Sequence, residues 1–138
     1  MNKINNQKIK YMGSYTPLEL PKMLNGKLGL IWDGAIDNKD ENINPLKNYT
    51  KYNSPHKMSC YLAAGIPIIA WKKAAIAETI NKYNIGYLID NIYQINSISY
   101  NDYEEKKKNA ERLSLKIREG FFIKKALSKI ENDELKEE

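Results

Sequence analysis

The fold of this chain is indicated by one stretch of sequence, Ser54-Pro55-His56-Lys57-Met58-Ser59-Cys60-Tyr61-Leu62-Ala63-Ala64-Gly65-Ile66-Pro67-Ile68-Ile69-Ala70-Trp71. Ser54 is a good N-cap and Pro55 a good first helical residue, so the stretch predicts a helix from about Pro55 to Ala64. Gly65 closes this helix, and the apolar run from Ile66 to Trp71 predicts a strand covered on both faces.

The same alternation of strand and helix continues on both sides of that stretch. Further strands are expected at Lys8 to Met12, Leu28 to Trp32 and Gly86 to Ile89. Further helices are expected from Thr16-Pro17-Leu18-Glu19 to about Leu24, around Ile76, Ala77 and Ile80, from Ser99-Tyr100-Asn101-Asp102 to Gly120, and after Gly120. This order predicts an α/β domain with a parallel sheet and helices on both faces.

Size and composition place the chain among soluble globular proteins. Its 138 residues, 42% of them hydrophobic and 28% charged, suit one domain spanning 1–138, whose ends at 1–7 and 131–138 we expect to fray. The N-terminus lacks the apolar core of a signal peptide, and the longest apolar run is too short to span a membrane. The lone Cys60 excludes a disulfide within the chain, so we expect a cytoplasmic protein with no transmembrane segment.

The formal net charge of +5 raises the hypothesis of nucleic-acid binding. The basic residues are nearly all lysines, however, and they are dispersed along the chain without interleaved aromatic residues. We therefore expect most of this charge to lie on the solvated surface and expect no nucleic-acid partner.

Cations at two predicted helix starts are the more informative charge pattern. A helix N-terminus carries partial positive charge, which makes a nearby cation unfavourable by roughly 0.3–1 kcal/mol. Yet His56 and Lys57 lie in the first turn of one helix, and Lys72-Lys73 open another. An anion such as a diphosphate between the two helix starts accounts for this pattern. The alternative is that these lysines point into solvent and that His56 is structural.

Other residues on the same predicted loops have two interpretations each. Tyr15, Tyr49 and Tyr52 could stack on a base or a sugar, or they could be surface tyrosines of a tyrosine-rich chain. Asp33 could accept hydrogen bonds from ribose hydroxyls or could cap a turn with Gly34. The sequence contains no Walker A loop, no G-x-G-x-x-G and no metal-spaced His/Asp cluster, so no metal and no cofactor are expected.

The segment from Asn48 to Ile69 resembles a signature of a bacterial glycosyltransferase family. That family includes β-1,6-galactofuranosyltransferases and the glucosyltransferases that extend glycans on serine-rich adhesins. The string Asn53-x-Pro55-His56-Lys57 is its specific part. Similar pieces follow the same order along the chain: Met12-Gly13-Ser14-Tyr15, Gly29-Leu30-Ile31-Trp32-Asp33-Gly34, Ala74-Ala75-Ile76-Ala77 and Asn84-Ile85-Gly86.

The resemblance implies a Rossmann-like three-layer α/β/α domain, the C-terminal half of a GT-B glycosyltransferase. Such a half binds a UDP-sugar, generally without a metal. By the resemblance Asn53, His56 and Lys57 contact the diphosphate, while Tyr52 and Tyr15 lie on the nucleotide or sugar side. Asp33 is a further candidate, and Ala74 and Ala75 offer backbone N–H groups at the second helix start.

The resemblance covers only the donor-binding half, so no acceptor domain and no catalytic base are identified in this sequence. The implied enzyme transfers a hexosyl or galactofuranosyl unit from a UDP-sugar to a glycan or glycoprotein acceptor. Because transfer requires both substrates to be positioned, we expect little turnover without an N-terminal acceptor domain. The alternative is a non-catalytic transferase half that acts as an assembly or regulatory module. Phe121-Phe122 could supply a contact in a homo-oligomer.

Overall fold

The computed structural model describes residues 9–32, 51–53 and 56–134. The strands are β1 (Gly29–Ile31), β2 (Ile68–Trp71) and β3 (Gly86–Ile89). The α-helices are α1 (Leu20–Met23), α2 (His56–Ala63), α3 (Ala77–Tyr83), α4 (Tyr100–Arg118) and α5 (Phe121–Glu134), and a 3₁₀ helix covers Ile92–Ser97.

The three strands form one parallel sheet in the order β1-β2-β3. Ile31 pairs with Ala70 on β2, and Ala70 pairs with Leu88 on β3. Helix α2 connects β1 to β2 and α3 connects β2 to β3, as parallel neighbours require. The structure is therefore a mixed α/β fold with a small parallel sheet, which is compatible with the expected Rossmann-like domain. The full three-layer arrangement stays a prediction.

The strand predicted at Lys8 to Met12 is wrong for the described residues 9–12, which form no regular structure. Ile9, Tyr11 and Met12 are all exposed. Alternating apolar residues form a strand only where a neighbouring strand accepts their backbone hydrogen bonds and a layer covers one face. Within the part of the chain that the structure describes, no strand pairs with residues 9–12, and their side chains are exposed.

The predicted helix after Thr16 is short and begins late, as Pro21 suggests. The Glu19 carboxylate accepts hydrogen bonds from the Thr16 amide (3.1 Å) and the Thr16 hydroxyl (2.7 Å), so one half of the expected capping box forms. The α-helix itself starts at Leu20 with Pro21 in its first turn. It packs against α2.

Two glycines are required by close approach and by backbone conformation. Gly65 has a φ of +67°, the left-handed conformation that closes α2 as predicted. A Cβ atom on Gly86 would overlap the backbone of Ile68 on the neighbouring strand. The pairing of β2 with β3 therefore requires a residue without a side chain at the start of β3.

The main core is formed by the sheet and the helices α2, α3 and α4. Ile68, Ile80, Ile85 and Ala110 are almost completely buried there. The core also contains Ile31, Met58, Leu62, Ala70, Trp71, Ala74, Ile76 and Leu113. Burying a side chain of isoleucine size stabilises the fold by roughly 1.5–3 kcal/mol, so this cluster is the main source of stability.

Helix α4 is capped at its start, and polar contacts join it to the loop before β3. Ser99 caps the helix by accepting a hydrogen bond from the Asp102 amide (3.3 Å), as predicted. Lys106 and Asn109 donate to the side-chain and backbone oxygens of Asn84 at 2.8 and 3.1 Å. These contacts hold α4 beside the amino ends of the strands, opposite the edge that is expected to bind ligands.

Gly120 separates α4 from α5 with a φ of +69°, which confirms the predicted break. Helix α5 then continues to Glu134, and the fraying expected at 131–138 stays a prediction. Most of its length carries no buried side chain among the residues described.

Candidate functional site

The carboxyl ends of the three strands define one edge of the sheet. Helix α2 lies between the end of β1 and the start of β2, so its first residue, His56, lies on the side of this edge. The turn after Trp71 lies at the same edge, because β2 is parallel to β1. In open α/β sheets ligands bind at this edge.

Two lysines flank the ring of Trp71 at this edge. The Lys51 ammonium lies 5.7 Å and the Lys73 ammonium 5.9 Å from the centre of the ring. Trp71 is itself buried, in agreement with the core position expected for it. A cation–π contact of this kind is worth roughly 0.5–1 kcal/mol at an exposed site. The contacts connect the residues before α2 with the turn after β2.

The beginning of α2 has the charge pattern expected from the sequence. His56 and Lys57 are both exposed in its first turn, which contains no acidic residue. Tyr52, with 87% of its surface exposed, and the half-buried Asn53 precede this helix. The partial positive charge of the helix start and the charge of the Lys57 ammonium therefore have the same sign.

The second helix start differs from the prediction. Helix α3 begins at Ala77, so Lys72 and Lys73 lie in the turn before it and do not open it. The Lys72 ammonium instead forms an ion pair with Asp90 at 2.6 Å. The backbone between Trp71 and Ala77 forms i→i+3 turns instead, in which the Ala74 amide donates to Trp71 and the Ala77 amide donates to Ala74.

The two alanines of that turn have different surroundings. The Ala74 amide donates to the Trp71 carbonyl oxygen at 3.0 Å, and Ala74 is buried. Within the described part of the chain, the amide of the exposed Ala75 donates no backbone hydrogen bond. Ala75 is thus better suited than Ala74 to donate to a ligand, which sequence reasoning could not distinguish.

The remaining predicted site residues are less informative. Tyr15 is half-buried, and its hydroxyl donates to the Met12 carbonyl oxygen at 2.7 Å, across Gly13 with its φ of +102°. Asp33 and Tyr49 lie outside the described residues, as do Ser54 and Pro55. The structure therefore brings Tyr52, Asn53, His56, Lys57, Ala74 and Ala75 to one edge of the sheet and leaves Asp33 undescribed.

Sequence reasoning missed Lys51 as a member of this edge, and it placed Lys73 there only as part of a helix start. Lys51 lies shortly before the start of α2, and Lys73 lies shortly after the end of β2. The positions of both elements were predicted. The contact that the two lysines share with Trp71 is a tertiary contact, however, which the local sequence of neither lysine predicts.

The described residues contain no group of three or more His, Cys, Asp or Glu side chains arranged to hold a metal ion. Within the same residues, none of the helices combines the length and apolar character needed to cross a membrane.

Comparison with known proteins places the chain among glycosyltransferases. A family model described as "Glucosyltransferase 3-like, C-terminal domain" matches residues 1–130. The β-1,6-galactofuranosyltransferase WbbI of Escherichia coli (strain K12) is 32% identical over 142 residues, which cover 96% of this chain and 42% of WbbI. Glucosyltransferase 3 of Streptococcus gordonii is 32% identical over 114 residues, covering 80% of this chain and 32% of that protein.

A third relative, Glucosyltransferase 3 of Streptococcus parasanguinis, is 30% identical and covers 83% of this chain and 34% of its own length. The class of protein that the fold and these relatives define is therefore a domain from a glycosyltransferase family, with an α/β fold. In particular, the chain belongs to the Glucosyltransferase 3-like family, and it matches that family's C-terminal domain. The chain spans less than half the length of each of these relatives.

Proposed function

We propose that this chain is the donor-binding domain of a glycosyltransferase that transfers a hexosyl or galactofuranosyl unit from a UDP-sugar to a glycan acceptor, without a metal. The observation that carries the proposal is the concentration of positive charge at the carboxyl edge of the sheet. His56 and Lys57 begin α2 there, and Lys51 and Lys73 flank Trp71 beside it.

The proposed ligand group at this edge is the diphosphate. Its negative charges suit the helix dipole and the backbone amides at the start of α2. The Lys57 ammonium would add a charge-assisted hydrogen bond, which is worth about 1.5–3 kcal/mol. Together these groups would neutralise the diphosphate with no metal ion.

The neighbouring residues would bind the rest of the donor. Asn53 and His56 would donate hydrogen bonds to the diphosphate, and the Ala75 amide would donate from the turn after β2. The exposed ring of Tyr52 would stack on the base or the sugar, as would Tyr15 after a change in its hydrogen bonding. Asp33 is proposed as a ribose contact.

Transfer would require a second domain that binds the acceptor. The relatives' additional length provides room for such a domain, and in a GT-B arrangement it would face the carboxyl edge of the sheet described above. Bringing acceptor and donor together in one cleft supplies much of the rate acceleration. The donor domain alone is therefore proposed to bind UDP and to turn over poorly, and to do so in the cytoplasm.

Calorimetric titration of the folded chain with UDP tests the proposal. We expect a dissociation constant in the micromolar-to-millimolar range that is unchanged by EDTA. Absence of UDP binding at millimolar concentration, with folding confirmed by circular dichroism, would contradict the donor site. Loss of UDP binding in EDTA would contradict metal independence alone. UDP binding in a full-length protein that lacks transfer activity would instead indicate a non-catalytic module.

A further inference from the structure

Helix α5 has one apolar face and one basic face. Its apolar side chains recur at the spacing that places them on the same side of a helix. They are Phe122, Ile123, Ala126, Leu127 and Ile130. Lys124, Lys125 and Lys129 lie between them in the sequence and therefore outside that side of the helix. The helix is amphipathic, with positive charge beside its apolar face.

The apolar face of α5 is open to solvent in the part of the chain that the structure describes. Ile123, Leu127 and Ile130 are 69%, 55% and 55% exposed. The first turn is held against the fold, because Phe122 packs edge-on against Tyr83 with ring centres 6.1 Å apart. Beyond this turn, the described side chains of α5 are exposed. The helix is therefore anchored at one end and presents the remainder of its apolar face outward.

The end of α4 extends the basic part of this surface. The Lys116 ammonium lies 5.5 Å from the centre of the Phe121 ring, so the last turns of α4 adjoin the first turn of α5. Arg118 follows, and its guanidinium donates a hydrogen bond of 3.2 Å to the Ser114 hydroxyl. Basic side chains therefore continue from α5 to the corner between the two helices.

Positive charge is concentrated in this part of the chain. Residues 108–130 contain seven basic and two acidic side chains, an excess of five that equals the formal net charge of the whole chain. All seven basic side chains are exposed. They are Lys108, Arg112, Lys116, Arg118, Lys124, Lys125 and Lys129. Acidic residues follow at 131–138, so the basic surface ends with the third turn of α5.

We propose that this surface docks on the anionic headgroups of a lipid bilayer. An amphipathic helix with lysines on its polar face and Phe and Leu on the other lies in the plane of the membrane interface, with its apolar face inserted by roughly 5–10 Å. The lysine ammonium groups reach the lipid phosphates, while the methylene groups of the same side chains stay against the apolar layer.

The composition of the α5 surface favours a bilayer over a soluble polyanion. A nucleic acid would be bound mainly by the basic side chains, and its phosphate backbone offers no apolar layer to Ile123, Leu127 and Ile130. A bilayer that contains acidic lipids offers both contacts in one surface. Its phosphates attract the lysines, and its acyl region accepts the apolar side chains.

Co-sedimentation of the full chain with lipid vesicles tests this proposal. We expect binding to vesicles of phosphatidylcholine that contain roughly one-third phosphatidylglycerol, because each lysine near an acidic membrane adds to the affinity. Vesicles of phosphatidylcholine alone should bind little of the chain. The triple substitution Lys124→Gln, Lys125→Gln and Lys129→Gln should lower the partition coefficient on the acidic vesicles at least about 20-fold.

A matched control removes the same charge elsewhere. Lys10, Lys22 and Lys27 are also exposed and lie outside α4 and α5. The triple substitution Lys10→Gln, Lys22→Gln and Lys27→Gln should lower the partition coefficient by less than about 3-fold, because charges remote from the membrane surface are screened by salt.

The apolar contact is tested by a substitution that adds no charge. Leu127→Gln should lower vesicle binding at least about 5-fold, since a polar side chain gains nothing from transfer into the acyl region. Leu18→Gln is its control, because Leu18 is 85% exposed in the turn before α1 and should leave binding unchanged. Circular dichroism verifies that all variants are folded.

Absence of binding to the acidic vesicles overturns the proposal, as does equal binding to the neutral vesicles or an equal effect of the α5 substitutions and their controls. Loss of binding in the α5 lysine variant but not in Leu127→Gln also overturns it, because charge alone would then explain the adsorption. Unchanged vesicle binding in Leu127→Gln together with an altered mass in solution would assign the apolar face to a protein partner instead. UDP affinity should be the same in all these variants, since none of the replaced residues belongs to the proposed donor site, so the two proposals can fail independently.

Discussion

The side-chain ammonium of Lys51 lies 5.7 Å from the centre of the Trp71 ring. Lys51 precedes α2 and Trp71 ends β2, so this contact brings the segment before one helix to the end of the next strand. Lys73 approaches the same ring at 5.9 Å. The contact is the structural basis for placing Lys51 and Lys73 in the proposed donor site.

Replacing these lysines should weaken UDP binding moderately. We expect Lys51→Gln and Lys73→Gln each to lower the affinity roughly 2- to 5-fold, the range typical of exposed charges. Tryptophan fluorescence during UDP titration provides the measurement. The control is Lys116→Gln, because Lys116 makes the same kind of contact with Phe121 at 5.5 Å, away from the sheet edge. Equal effects of all three substitutions would contradict a local role.

Replacing Lys57 should have a larger effect. Lys57→Ala would remove a charge-assisted hydrogen bond to the diphosphate, so we expect a loss of UDP affinity of roughly 10- to 100-fold. Calorimetry measures it. Lys108→Ala removes the same charge from an exposed position on α4 and should change the affinity little. Unchanged binding in Lys57→Ala would remove this residue from the site.

Gly86→Ala should destabilise the fold strongly. The added Cβ would overlap the Ile68 backbone, which cannot move without breaking the pairing of β2 with β3. We expect a loss of about 3 kcal/mol or more in the free energy of unfolding, measured by urea denaturation. Gly26→Ala is the control, since its Cβ would meet only the Leu28 carbonyl oxygen at 3.8 Å and should change stability by less than about 0.5 kcal/mol.

The pKa of Glu19 should lie below its ordinary value of 4.5, because its carboxylate accepts hydrogen bonds from the side chain and backbone of Thr16. A lowered pKa stabilises the capped turn above the ordinary pKa, and this contribution is lost as the pH falls through the lowered value. NMR titration of the Glu19 side chain measures the shift. Thr16→Ala should move the pKa back towards 4.5, and an unchanged value would show that the hydroxyl has no influence.

Local features of the fold were predictable from the sequence. The strand Gly86–Ile89 agrees with its predicted limits, and the helix predicted from about Pro55 to Ala64 is found at His56–Ala63. The breaks at Gly65 and Gly120 are also confirmed. Each of these depends on a backbone conformation or an apolar run that neighbouring residues determine.

One local signal was overlooked. The side chain of Asn91 accepts from the Tyr93 amide, and Gln94 accepts from the Asn91 amide, so a capping box begins the 3₁₀ helix Ile92–Ser97. The pattern of Asn followed by Gln three residues later could have indicated this helix.

By itself the sequence determined the alternation of strands and helices, the cationic start of α2 and the resemblance to a family, since each is carried by residues close together in the chain. The tertiary structure alone decided that α3 starts at Ala77, after i→i+3 turns between Trp71 and Ala77. It likewise decided that Lys51 and Lys73 lie against Trp71 and that Ile123, Leu127 and Ile130 of α5 are exposed. Those contacts join residues that are distant in the sequence, and only the packing of the helices on the sheet brings them together.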